Sequence, residues 1–293
     1  MAAKSSKPSI IVGVHGLENK PPLGDAMRAW KSAISEGLVR NCGYDQGEIP
    51  FDLVYWADLR NDQPLVPDEI EEPYRPDPGS GPFPKPDADD RWSTTTIVEH
   101  VYKGLGWIQA KTGFTPFDDL ILKAGFDDLW RYQSGTTFAR QVRQRLCEHI
   151  KALAGHRILL VAHSMGALIA YDGLRLLERD APSVWVDHFV TIGSPLGLAE
   201  VRLKIAAEHG AVRTPNNVGQ WSNLSDKRDA ATVADTLSAD YAPSDHGVGI
   251  RDVAVLNAYR RPNGKPYHHM SFGYLRSPEF SEIVRSVLVP EKC

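Results

Sequence analysis

Four short apolar runs restrict what this chain can fold into: Ile10 to Val14, Phe51 to Trp56, Arg157 to Ala162 and Val186 to Ile192. Each is rich in β-branched or aromatic residues and bounded by turn formers, which predicts a strand buried on both faces. Such strands need helices on both sides, and helical stripes lie between them. Met27, Trp30, Ile34 and Leu38 form one, and Phe138, Val142, Leu146, Ile150 and Leu153 another. Leu168, Tyr171 and Leu174 continue the alternation, and Phe280, Ile283, Val284, Val287 and Leu288 close the chain. The order predicts an α/β fold, a mainly parallel sheet with helices on both faces. With 293 residues, 42% of them hydrophobic, one large core suffices, and residues 1–293 read as a single domain.

The alternation breaks between about residues 61 and 134. From Asn61 to Trp92 there are eight prolines and an excess of acidic residues, a composition that cannot form sheet core. The part that follows, with Trp107, Ile108, Phe114, Phe117, Leu120, Phe126 and Trp130, is apolar enough to fold over something. Residues 61–134 are expected to be an inserted cap or lid; the plainer alternative is an insertion packed against the sheet's edge. Trp56, just before it, reads as core, with a place under the cap as the other option.

A net charge of −4 from interspersed acids and bases argues against a nucleic-acid surface or a cationic membrane face and favours a small-molecule partner. Three widely spaced cysteines, Cys42, Cys147 and Cys293, fit neither a disulfide framework nor a metal cluster and lead us to expect a reducing, cytoplasmic compartment. The chain has no apolar run long enough to span a membrane and begins with no signal-like segment. It has no P-loop and no dinucleotide fingerprint, so no cofactor is expected.

Chemistry enters at Val161-Ala162-His163-Ser164-Met165-Gly166. The preceding run is a strand and the residues from Met165 suit a helix, so Ser164 sits on a strand-to-helix turn. A turn this sharp strains the serine backbone, tolerates only small neighbours such as Ala162 and Gly166, and lifts the hydroxyl toward the N-terminus of the next helix. The segment resembles the nucleophile elbow of the α/β-hydrolases, in particular the lipase and esterase branch, with alanine at 162 where Gly-x-Ser-x-Gly has glycine. The resemblance covers most of the chain outside residues 61–134.

The resemblance implies the α/β-hydrolase fold and further site residues. Ile10 to Leu17 is similar to the family's oxyanion strand, which makes the backbone N–H groups of Leu17 and Met165 the expected oxyanion donors; His15 is expected to order the loop. The acid and the base should follow Ser164 in that order. Val218 to Leu224 reads as a strand, and of the two aspartates after it Asp229 is favoured over Asp226, which is left to cap the turn or pair with Arg228 or Lys227 at the surface. In the loop before the last helix, Tyr267 to Leu275, His269 is favoured over His268. His163 is too close in sequence to swing onto Ser164, and His246 reads as a loop residue. Gly193-Ser194-Pro195, ending the next strand, resembles the turn that borders the family's pocket. The function implied is a serine hydrolase cleaving a carboxylic ester, the substrate small and lipophilic. Thioester or amide hydrolysis, acyl transfer, and a catalytically silent binding fold remain open.

Overall fold

The computed structural model describes residues 7–45, 47–66, 73–87, 132, 136–229, 231–232 and 236–289. A six-stranded sheet runs through it: β1 (Ser9–Val14), β2 (Phe51–Val54), β3 (Arg157–His163), β4 (His188–Ile192), β5 (Trp221–Ser225) and β6 (Ile250–Ala254), in the order β2-β1-β3-β4-β5-β6. Every neighbouring pair is parallel. Six α-helices accompany it among the described residues: α1 (Leu23–Cys42), α2 (Thr137–Ala152), α3 (Met165–Asp180), α4 (Ala199–His209), α5 (Ser271–Leu275) and α6 (Pro278–Leu288).

The two-sided burial read from the sequence is visible in β3, whose residues alternate between two cores. Ile158, Leu160 and Ala162 face the layer of α2 and α3 with Val142, Leu146 and Tyr171. Leu159 and Val161 face that of α1 and α6 with Trp30, Ile34, Phe280 and Val284. Gly13 of β1 is part of the second contact, because a Cβ there would lie 2.8 Å from Leu53 and 3.0 Å from Trp30. The chain leaves β1 toward β2 on one side and builds β3 to β6 on the other. The switch point therefore lies between the C-terminal ends of β1 and β3, where open parallel sheets leave a crevice.

Strand boundaries differ from expectation for local reasons. β2 stops at Val54 because the Trp56 N–H donates to His15 Nε2 at 3.0 Å instead of continuing the ladder; Trp56 itself is core, 1% exposed. Val186 and Val218, where two strands were expected to begin, form a single isolated bridge, and the regular ladder starts at Phe189 and Trp221. The edge strand β6 was not foreseen. Asp252 in its middle is occupied with the Asn223 amide and the Leu237 and Ser238 N–H groups, so its sequence lacks an apolar run. The loop expected before the last helix contains the short helix α5.

Within the expected cap, residues 67–72, 88–131 and 133–134 lie outside the described residues, among them the apolar stretch from Trp107 to Trp130. Residues 73–87 form a strap across α1, α5 and α6. The Tyr259 hydroxyl donates to Pro73 O, Arg40 pairs with Asp77 at 3.0 Å, and the buried Phe83 ring lies between the guanidinium groups of Arg40 and Arg276. Among the described residues no helix is long and apolar enough to cross a membrane.

Candidate active site

At the switch point Ser164 links β3 to α3 with φ 54° and ψ −129°, a conformation costly for a residue with a Cβ. Its surroundings hold it there. The Ser164 N–H donates to Ile192 O at 3.1 Å and its carbonyl accepts from Ala167 N at 2.9 Å. The turn needs glycine at two contacts: a Cβ on Gly166 would sit 2.5 Å from Val14 O and 2.6 Å from His15 O, and one on Gly16 would sit 2.9 Å from the Ser164 Cβ. These contacts press the start of α3 against the end of β1.

From the far end of the chain, the loop before α5 brings His269 to the serine. His269 Nε2 lies 3.0 Å from Ser164 Oγ, and its Nδ1 lies 2.9 Å from both carboxylate oxygens of Asp229. The Asp229 side chain, in the turn after β5, is completely buried. Burial pulls the imidazole pKa downward, but the charge and hydrogen bond of Asp229 outweigh it, and the His269 pKa is raised above 6.5. A donor at Nδ1 leaves Nε2 as acceptor toward the serine hydroxyl. The structure thus joins Ser164, His269 and Asp229 in one hydrogen-bonded chain.

Asp226 and His268 point elsewhere. Asp226, only 1% exposed, accepts from the guanidinium and N–H of Arg228 and from Asn257 N at 2.6 Å. The expected pairing with Arg228 is present, its guanidinium at the surface, but the carboxylate itself lies inside, because Asp226 ties the turn after β5 to the loop after β6. His268 Nδ1 lies 3.1 Å from Asn257 O, and His246 is exposed in a turn.

His15 and His163 frame the site as neutral rings. His15 Nε2 accepts from Trp56 N, which leaves Nδ1–H to donate to Gly16 O at 2.8 Å; burial lowers its pKa to about 3. His163 Nε2 donates to the His269 carbonyl at 2.8 Å, its ring centre 4.8 Å from that of His269, and burial and His269 hold its pKa well below 6.5. The expected oxyanion donors flank the serine. Met165 opens α3, where first-turn N–H groups lack intrahelical acceptors, and Leu17 follows the Gly16 contact. Among the described residues neither N–H has a protein acceptor.

Three supports complete the site, the first two not anticipated. The Tyr274 hydroxyl donates to Asp229 Oδ2 at 2.7 Å and accepts from Asp226 N at 3.2 Å. Asn257, fully buried, donates from its amide to the carbonyls of His268 and Met270, at 2.7 and 2.9 Å, one on each side of His269. Gly193, at φ 54°, lets the end of β4 run beneath the pair, since a Cβ there would lie 2.9 Å from Asp229 Oδ2 and 3.3 Å from His269 Nδ1. The Gly-Tyr doublet at 273–274 and the isolated Asn257 were the only sequence traces of the first two.

Two other features lie apart from the serine. A cavity of about 480 Å³ is lined by Ser9, Pro50, Arg157 and Asp187 at the N-terminal ends of the strands, the opposite end of the sheet from Ser164. Asp172, Glu208 and His209 bring donor atoms within 4.8 Å of one another. Asp172, however, already receives Arg143 at 2.6 Å, Tyr132 at 2.7 Å and His209 at 3.0 Å, and Arg143 also pairs with Glu208. The guanidinium stands where a cation would sit, so the residues form an ion network rather than a metal site.

No curated protein matches the chain. Residues 92–206, less than half of it, match the lecithin:cholesterol acyltransferase family, and that span contains β3, Ser164, α3 and β4. With its all-parallel sheet and the serine at the switch point, the chain has the α/β-hydrolase fold and is similar to the lecithin:cholesterol acyltransferase family over residues 92–206.

Proposed function

We propose that the protein is a serine hydrolase that cleaves a carboxylic ester through an acyl-enzyme on Ser164. The observation that carries this reading is the chain Ser164 Oγ, His269 Nε2, His269 Nδ1, Asp229, with spacings of 3.0 and 2.9 Å, hung on a strained strand-to-helix turn. His269 takes the hydroxyl proton as Oγ attacks the ester carbonyl, and Asp229 stabilises the imidazolium that results. The carbonyl oxygen gains negative charge and is held by the N–H groups of Leu17 and Met165. Collapse expels the alcohol, which takes the proton from His269. Water, deprotonated by the same ring, then releases the acid.

In this reading the substrate is a small lipophilic ester. The match to the acyltransferase family favours one further outcome, delivery of the acyl group from Ser164 to an alcohol in place of water. A fluorophosphonate probe and an activated short-chain ester test the proposal. The wild type should label and turn over, and Ser164→Ala should lose labelling and about 10⁴-fold or more of its activity while keeping its fold. A wild type that does not label, or a Ser164→Ala variant with full esterase activity, would overturn it; an added alcohol that diverts the acyl group separates transfer from hydrolysis.

A further inference from the structure

The loop that carries Leu17 also carries a cation. Lys20 Nζ donates to the Leu17 carbonyl and, at 3.5 Å, to the Asn19 carbonyl, which leaves the third ammonium hydrogen without a protein acceptor among the described residues. No carboxylate lies within ion-pairing distance of it there. Its backbone is fixed: the Tyr55 hydroxyl and the Leu65 N–H both bond Lys20 O, and Lys20 N donates to Asn19 Oδ1. The side chain is therefore held in the loop rather than waving from it. Its charge reaches the site, where it disfavours protonation of His15, His163 and His269 alike. Burial lowers the Lys20 pKa to about 8, against a smaller upward pull from Glu18. Lys20 is half-buried, and a partly desolvated charge with only backbone dipoles for partners is costly; an arriving anion would offset that cost.

We propose that Lys20 is an anion subsite at the mouth of the Ser164 site, and that the ester substrate carries a carboxylate that the ammonium binds. One unneutralised charge with one free N–H suits a monoanion rather than a dianion, which would need more donors. The charged groups around it are Glu18, which shares its loop, and the rings of His15, His163 and His269; of these only Glu18 is an anion, and it is solvent-exposed. The inference rests on the esterase reading above.

Two matched ester pairs test it. The acyl pair is the nitrophenyl esters of hexanoic and hexanedioic acid, which differ by a terminal carboxylate. The alcohol pair is the hexanoyl esters of a nitrophenol with and without a ring carboxylate. At pH 7 the carboxylate-bearing ester of at least one pair should be favoured about tenfold in kcat/KM. Lys20→Met should remove the preference and Lys20→Arg should keep it. In the wild type the ratio should fall as pH rises through about 8, while the His269 limb cancels because both esters share it. Labelling by the fluorophosphonate keeps the two proposals apart. A wild type that fails to label removes the hydrolase reading. A wild type that labels but shows no preference in either pair, a ratio unchanged in Lys20→Met, or a ratio flat across pH 8 removes the Lys20 subsite alone; if Lys20→Met does not fold, the wild-type pH series decides.

Discussion

The Tyr274 hydroxyl and the Asp229 carboxylate meet at 2.7 Å on the oxygen that also faces His269. Burial and the charge of Asp229 raise the phenol pKa well above 10, so it remains a donor at every working pH. Its hydrogen bond draws density from the carboxylate and lessens the grip of Asp229 on the imidazolium. Tyr274→Phe should therefore raise the His269 pKa further. In the proposed mechanism His269 must be neutral to act as base, so the acid limb of kcat/KM should move to higher pH, with about a tenfold loss of kcat at pH 7. A pH–rate profile checks it, and a loss of activity with an unmoved limb would leave Tyr274 a packing role only.

Asn257 holds the backbone on both sides of His269. With its amide donating to the carbonyls on both sides of His269, Asn257→Asp would set an anion against two carbonyls and against Asp226, whose carboxylate bonds Asn257 N. The expected result is a fall of about 100-fold in kcat with KM little changed, since the ring loses its aim while the substrate contacts stay. Steady-state kinetics resolve the two constants, and a rise in KM alone would contradict the assignment.

The small residues around Ser164 should not be equivalent. Ala162→Gly changes a strand residue to the common family form and should cost only about 1 kcal/mol. Gly166→Ala places a methyl 2.5 Å from a backbone oxygen, which cannot yield as a side chain tip does, so it should cost about 3 kcal/mol or more and push the start of α3 away from the end of β1. Thermal melts of the two variants give the order; equal melting temperatures would refute it.

Buried neutral histidines make stability depend on acid. Burial holds His15 at about 3 and His188 at about 4, and His163 well below 6.5. All three titrate near 6.5 when unfolded, so above that value they carry no penalty. As pH falls below it, the unfolded chain binds protons that the native chain refuses, and stability drops by about 1.4 kcal/mol per pH unit for each. His269 has the opposite sign: its raised pKa adds stability that is complete below 6.5 and lost as pH rises through its folded value. Urea midpoints should thus fall steeply from pH 6.5 to 5, and His188→Gln should flatten the slope by about a third. Equal midpoints at pH 7 and 5 would count against these protonation states.

How much of this was legible depended on whether the determining contacts were local. β3 and its turn were readable because strand, small residues and serine adjoin one another. Leu160 facing one core and Leu159 the other is what a continuous apolar run encodes. β6 was not readable, since Asp252 and Arg251 interrupt its pattern and its partner residues lie in β5. The choice between Asp226 and Asp229, or His268 and His269, turns on which side chain faces Ser164 across the sheet, a relation that a sequence of adjacent polar residues does not hold. Asn257 and Tyr274 were missed for the same reason: their significance comes from partners 11 to 45 residues away.

The first strand is closed by the last helix. Ser9 Oγ donates to Val287 O across 278 residues, and Arg157 reaches the same carbonyl, while α1 and α6 share one core. On a ribosome adding about 5 to 20 residues per second, β1 would emerge roughly 15 to 60 s before α6 is available to cover it. During that interval β1 is an apolar strand in water, so a shortened C-terminus should show itself first as aggregation during synthesis, before any question of catalysis arises.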